Sequence, residues 1–182
     1  MRMIYKSVNL AQWIQESTYN SKIVVELGAG FFDKLSFVNS TVKTKIGIEI
    51  YKPYIDNAKF NDCIKINGDI LNYRQLLTEY ELDTVMIVDV LEHFEKNVGY
   101  ELINNLKNDF KKIILMLPAG KYEQNTDVTG FGGHVYQTHR SYWYVEDILR
   151  LNFTEDAMDN YFHPNNNNNN NTACYFGIWQ KY

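Results

Sequence analysis

Short, nearly unbroken apolar runs recur along the 182-residue chain at 22–27, 45–50, 63–67, 83–88 and 112–117. Each is shorter than an ordinary helix and rich in Ile and Val, which suits strands buried on both faces, as a parallel sheet requires. Between these runs the apolar residues return at three- and four-residue intervals. Leu10, Trp13 and Ile14 predict an amphipathic helix over 9–19, within an N-terminal segment 1–20 that precedes the first strand. Further helices are expected at 31–38, after Pro53 through Tyr54, Ile55 and Ala58, and at 73–80, 98–110 and 143–151. Pro53 fits the first turn of its helix, where its missing N–H costs nothing. This alternation predicts an α/β fold with a doubly wound sheet. Runs at 153–162 and 172–181 predict a closing antiparallel hairpin, which needs no helical crossover. The asparagine run 165–171 falls at the tip of that hairpin, where loops absorb expansions.

One segment breaks the alternation. Residues 118–142 carry Gly130, Gly132 and Gly133 together with His134 and His139, and show neither period. A loop this long inside a compact domain is usually functional.

Composition narrows the partners. A hydrophobic fraction of 45% with 15% aromatic residues excludes overall disorder, and the length suits one domain spanning 1–182. No apolar run reaches the length of a membrane span, and the first residues lack the apolar core of a signal peptide, so a cytoplasmic protein is expected. Cys63 and Cys174 read as separate buried thiols. The net charge is −4, and no lysine or arginine cluster exceeds two neighbours, which argues against a nucleic-acid partner and leaves a small-molecule or saccharide acceptor.

The chemistry concentrates at strand ends. The first strand ends in Glu26-Leu-Gly28-Ala-Gly30, and the second ends in Glu49. Glycines at 28 and 30 let the backbone turn sharply and approach a ligand, and an acceptor-only carboxylate on the neighbouring strand is suited to two ribose hydroxyls. A pyrophosphate ligand fits poorly: the third glycine of the dinucleotide fingerprint is absent, Phe32 stands in the turn, and Asp33 would repel phosphate. Glu26 beside the turn favours a cationic ligand. S-adenosyl-L-methionine combines a ribose with an ammonium and a sulfonium and meets these demands.

Taken in order, Glu26-x-Gly28-x-Gly30, Glu49, Gly68-Asp69 and Asp89-Val-Leu-Glu-His93 resemble the motifs of class I S-adenosylmethionine-dependent methyltransferases over roughly residues 20–120. More loosely, Leu117-Pro118-Ala-Gly120 and His139-Arg-Ser-Tyr-Trp143 resemble small methyltransferases that act on cell-surface sugars. The resemblance implies a Rossmann-like seven-stranded sheet of order 3-2-1-4-5-7-6 with strand 7 antiparallel. It also implies that Asp69 meets the adenine amine, with Ile70 against the base, and that Asp89 lies at the methionine end or the acceptor.

The expected activity is methyl transfer to a hydroxyl of a small-molecule or carbohydrate-type acceptor. Alignment of acceptor and methyl group supplies most of the catalysis, and a neutral hydroxyl benefits from a histidine base. His139, His134 and His93 are the candidates, with His139 preferred because Trp143 nearby would offer a sugar an apolar platform. The segment 118–142 is then the acceptor-side lid. No metal is expected. Two alternatives remain: Asp89-x-x-Glu92-His93 with a later histidine resembles the metal cluster of methyltransferases that modify the ribose 2′-hydroxyl of small RNAs, and a non-catalytic module could bind the cofactor alone.

Overall fold

The computed structural model describes residues 4–5, 7–153, 155–159 and 173–181. The asparagine run and the outer parts of the predicted hairpin, 160–162 and 172, lie outside the described residues. Among the described residues, eight strands form one sheet: β1 (Ile4–Tyr5), β2 (Ile23–Leu27), β3 (Thr44–Glu49), β4 (Ile64–Asn67), β5 (Thr84–Val88), β6 (Lys112–Ala119), β7 (Glu155–Asp159) and β8 (Ala173–Gln180). Their spatial order is β1-β7-β8-β6-β5-β2-β3-β4. Without β1 this is the expected seven-stranded order, and β8 is antiparallel to both β6 and β7. The unexpected β1 pairs in parallel with β7 at the sheet edge.

Alternation along the central strands builds a core on each face. Val25, Leu27, Ile46, Ile48, Val85, Ile87, Ile113 and Leu115 point to one side. Val24, Met86 and Ile114 point to the other, where α1 (Leu10–Ser17) packs Ile14 onto them. Each fully buried aliphatic side chain contributes roughly 1.5–3 kcal/mol, so β5 and β6, buried on both faces, anchor the sheet. Asn9 caps α1 by accepting from the Gln12 N–H at 3.0 Å.

Helices α2 (Lys52–Asp56), α3 (Tyr73–Leu76), α4 (Lys96–Asp109), α5 (His134–Gln137) and α6 (Val145–Arg150) complete the chain. Two expectations change here. The predicted helix at 31–38 is a 3-10 turn over Asp33–Phe37, because Gly30 and Phe32 adopt left-handed backbone and spend the start of the segment on a tight turn. The segment 118–142 is not wholly irregular, since α5 forms a single turn inside it.

Phe32 explains how the chain does without a third glycine. Its φ is +65°, a conformation that costs a non-glycine residue roughly 1–2 kcal/mol. Its ring is completely buried, and a Cβ at Gly47 would lie 2.4 Å from it. The glycine on β3 therefore leaves the hole that the phenylalanine fills, and burial of the ring offsets the strained turn.

Candidate functional site

Because β2, β3, β4 and β5 run parallel, their carboxyl ends open on one edge of the sheet, where doubly wound folds bind ligands. A crevice of about 640 Å³ lies along that edge. Of the residues expected at the site, Gly28, Gly30, Glu49, Asp69, Ile70, Asp89, His93 and His139 line it. Glu26 and His134 do not.

Glu49 is held in position by the main chain. The Gly30 N–H donates to its Oε2 at 2.8 Å, and the Tyr51 N–H donates to its Oε1 at 2.8 Å. A carboxylate offers about four acceptor positions, so these contacts leave room for a ligand. Burial pushes its pKa up, and the N–H donors of Tyr51, Gly30 and Ile50 work against that shift. Gly28 (φ +72°) and Gly30 (φ +54°) make the turn. A Cβ at Gly28 would strike Val90 at 2.7 Å, whereas the space beside Gly30 is open. Gly28 is thus required by packing as well as by its backbone, and Gly30 by its left-handed backbone alone.

Asp69 caps the turn that follows β4, accepting from the Leu71 N–H at 2.9 Å through Oδ1. The neighbouring Ile70 is buried and apolar against the same crevice. Asp89 closes β5 with φ +55°, a strained value for a residue with a side chain, and such strain is found where a group must be aimed.

Glu26 lies beneath the glycine turn, fully buried, with no hydrogen-bond partner among the described residues for either carboxylate oxygen. Burial raises its pKa to about 8. Since the unfolded value is near 4.5, the native state holds this proton between pH 4.5 and 8 while the unfolded chain does not. The ligand-free protein should therefore lose stability as pH rises through that window, by on the order of a few kcal/mol. Glu26→Gln should remove this slope. Melting temperatures of both proteins across pH 4.5–8.5 check it, and parallel curves would mean that Glu26 does not titrate there.

The second wall is built by the loop. The 3-10 turn Leu91–His93 follows β5, and the Glu92 carbonyl accepts from the N–H groups of Arg140 (2.8 Å) and Ser141 (3.1 Å). This clasp sets the His93 and His139 rings 5.0 Å apart. His139 Nδ1 lies 2.8 Å from the Tyr122 carbonyl and His93 Nδ1 lies 3.4 Å from that of Thr138. A carbonyl only accepts, so a proton on each Nδ1 satisfies these two contacts. Burial and the neighbouring His139 lower the His93 pKa to about 4. Glu92 is also buried, and its Oε2 has no partner. One donor atom from each of Glu92, His93 and His139 lies within 4.8 Å of the others.

The same loop reaches across to the Glu49 side of the crevice. Tyr51 Oη donates to the Phe131 carbonyl (2.8 Å), Tyr54 Oη pairs with Thr129 Oγ1 (3.2 Å), and Gln137 Nε2 donates to Tyr54 Oη. Asp127 organises the turn beneath these contacts, accepting from the N–H groups of Thr129, Gly130 and Gly132. The hydrogen bond from Gly132 leads in holding its carboxyl below the usual range. The loop thus covers Tyr51, just past Glu49, as well as the His93 side.

Trp143 departs from expectation. It is fully buried, and its indole fills the space left by Gly99 on α4, where a Cβ would come within 2.7 Å. Its carbonyl accepts from the Gly120 N–H at 2.8 Å. Held there, it is a structural pin at the root of the loop rather than a platform for a sugar. His134 is exposed at the start of α5 and does not line the crevice. Sequence reasoning missed Lys34, Tyr54, Gln137 and Arg140, all of which line the crevice. Lys34 alone had a signal, as a cation directly after the glycine turn.

A family model described as spore germination B3/GerAC-like, C-terminal, matches residues 5–153. No curated protein matches by sequence. Solved structures match in fold. The N-terminal domain of EvdMO1, in the presence of SAH and D-fucose, is 12% identical with a TM-score of 0.64, over 94% of this chain and 81% of that one. A SAM-dependent methyltransferase from Archaeoglobus fulgidus is 17% identical with a TM-score of 0.61, over 91% and 89%. The small RNA methyltransferase HEN1 is 17% identical with a TM-score of 0.65, over 94% of this chain and 25% of that chain. At these identities they establish the Rossmann-like methyltransferase fold.

Proposed function

The chain belongs to the spore germination B3/GerAC-like, C-terminal, family, and from its crevice we propose that it is an S-adenosyl-L-methionine-dependent methyltransferase, acting as one domain on a hydroxyl of a small-molecule or carbohydrate-type acceptor. The family description names no reaction, so the site carries this reading. Its principal support is Glu49, fixed by two backbone N–H groups at the strand tip with acceptor positions left over, beside a glycine turn that is open at Gly30.

In this reading Glu49 accepts from both ribose hydroxyls, Asp69 accepts from the adenine amine, and Ile70 packs on the base. Glu26 and Asp89 supply negative charge to the ammonium end. Cationic ligand near Glu26 would favour its charged form, so binding near pH 7 would release a proton. The acceptor hydroxyl enters from the side of His93 and His139. His139 Nε2 takes its proton as the oxygen attacks the methyl carbon and the carbon–sulfur bond breaks, leaving S-adenosylhomocysteine. The loop 118–142 excludes water from both partners. The EvdMO1 domain, studied with D-fucose, lends weight to a sugar-like acceptor.

The cluster of Glu92, His93 and His139 favours a second reading, a metal-dependent transfer to a ribose-type 2′-hydroxyl. A buried carboxylate with an orphaned oxygen and two imidazoles whose Nδ1 atoms face carbonyls is a donor set that suits a divalent ion. Such an ion would polarise the acceptor oxygen. One experiment separates the readings: S-adenosylhomocysteine release measured across sugar, small-alcohol and RNA acceptors, with chelator and with added Mn²⁺ or Mg²⁺. Turnover on a sugar or alcohol that chelator leaves intact supports the histidine base. Loss in chelator with recovery on added metal supports the second reading. Absence of turnover, with S-adenosylhomocysteine still bound, leaves a binding module.

A further inference from the structure

The crevice is lined by six acidic residues, Asp33, Glu49, Asp69, Asp89, Glu92 and Glu95, and by two permanently cationic ones, Lys34 and Arg140. The guanidinium of Arg140 is already engaged, donating to the carbonyls of His93 and Val135, each at 2.7 Å. Lys34 is different. It is half-buried in the 3-10 turn directly after the glycines, and no carboxylate among the described residues reaches ion-pair distance. Two residues earlier, Phe32 is buried with its ring against Gly47.

The charge of Lys34 acts on three separate elements. It favours the ionised forms of Glu26 on β2, Glu49 on β3 and Glu92 after β5. Lys34 lines the same crevice as Asp33, Glu49, Asp69, Asp89 and Glu92 and forms an ion pair with none of them. An acidic crevice of this kind suits an ammonium or a sulfonium but repels a carboxylate. The amino-acid end of the proposed cofactor carries both signs, so its carboxylate needs a local positive charge.

We propose that Lys34 binds the carboxylate of the cofactor's amino-acid end, and that this contact selects the complete cofactor over adenosine thioethers that lack it. The assignment rests on the nucleoside reading of the crevice. A lysine that merely balanced the acidic wall would influence every adenosine ligand alike. A carboxylate receptor distinguishes ligands that have the group from those that do not.

Calorimetry with S-adenosylhomocysteine and 5′-methylthioadenosine tests this on the wild type, Lys34→Met and Lys34→Arg. Both ligands share the adenosine and the sulfur, but only the first has the amino-acid end. A charge-assisted hydrogen bond lost from one ligand alone should weaken S-adenosylhomocysteine roughly ten- to a hundredfold in Lys34→Met. Affinity for 5′-methylthioadenosine should stay within about twofold by the same reasoning, which also shows that the variant is folded. Lys34→Arg should recover most of the loss. Equal weakening of both ligands, or none for S-adenosylhomocysteine, overturns the assignment while the nucleoside pocket stands. A wild type that binds neither ligand overturns the pocket and the assignment together.

Discussion

His139→Ala should lower turnover by ~10²–10⁴-fold, the usual contribution of a positioned general base, while S-adenosylhomocysteine binds nearly as before. The expectation follows from how firmly the ring is placed. The His139 N–H donates to the Gln124 carbonyl at 2.8 Å, Nδ1 lies 2.8 Å from the Tyr122 carbonyl, and the next two residues are clasped to Glu92. These contacts hold the ring at the crevice wall without requiring the histidine to hold the cofactor, whose proposed anchors lie at the ends of β2, β3, β4 and β5. Removal of the imidazole should therefore act on the transition state. Single-turnover product formation and calorimetry on one preparation give both quantities. Parallel loss of binding and activity would make His139 structural, and full activity would reject it and shift the role to His93. His134→Ala should be neutral in the same assay, because its side chain is exposed outside the crevice. A metal-held acceptor would produce the same loss in His139→Ala, so the chelator experiment decides which chemistry the residue serves.

Much of the fold was legible because it is written in local patterns. Apolar runs such as 84–88 and 113–117 have no amphipathic alternative, and their alternation with helical segments allows few topologies. Strand ends were equally readable: Glu49, Asp69 and Asp89 follow such runs directly, and parallel strands bring their ends to one edge. What was not legible depends on contacts distant in sequence. Trp143, near His139 in sequence, reads as an apolar platform for a sugar, and only the missing side chain of Gly99 on α4 shows where it goes. Phe32 looked like a defect in a glycine motif until Gly47 on the next strand proved to be its complement. Two residues, Ile4 and Tyr5, are too few to show a period, so β1 had no signal. Lys34 offers only a weak signal, one cation after the glycine turn; its significance comes from the acidic crevice that it lines.

Glu49→Ala should weaken S-adenosylhomocysteine binding by ~2–4 kcal/mol, which is roughly thirty- to several-hundredfold. Two charge-assisted hydrogen bonds to the ribose would be lost in a site where Glu49 is only 6% exposed, so water replaces them poorly. The substitution also deprives the Gly30 and Tyr51 N–H groups of their acceptor, and a loosened turn could by itself reduce affinity. Glu49→Gln separates the two effects. Its amide oxygen can still accept from one of these N–H groups, while its NH₂ cannot accept from a hydroxyl, so the double ribose contact is lost with most of the turn retained. Comparable weakening in Gln and Ala would place the loss in the ribose contact. Near-wild-type affinity in Gln with a large loss in Ala would mean that Glu49 serves mainly to shape the turn. The ligand supplies a further control: replacing the ribose with 2′-deoxyribose should reduce affinity for the wild type and have little further effect on Glu49→Ala, since two changes that remove one interaction are not additive. Additive losses would place the 2′-hydroxyl elsewhere, and the assignment of the crevice as a nucleoside site would then lose its strongest support.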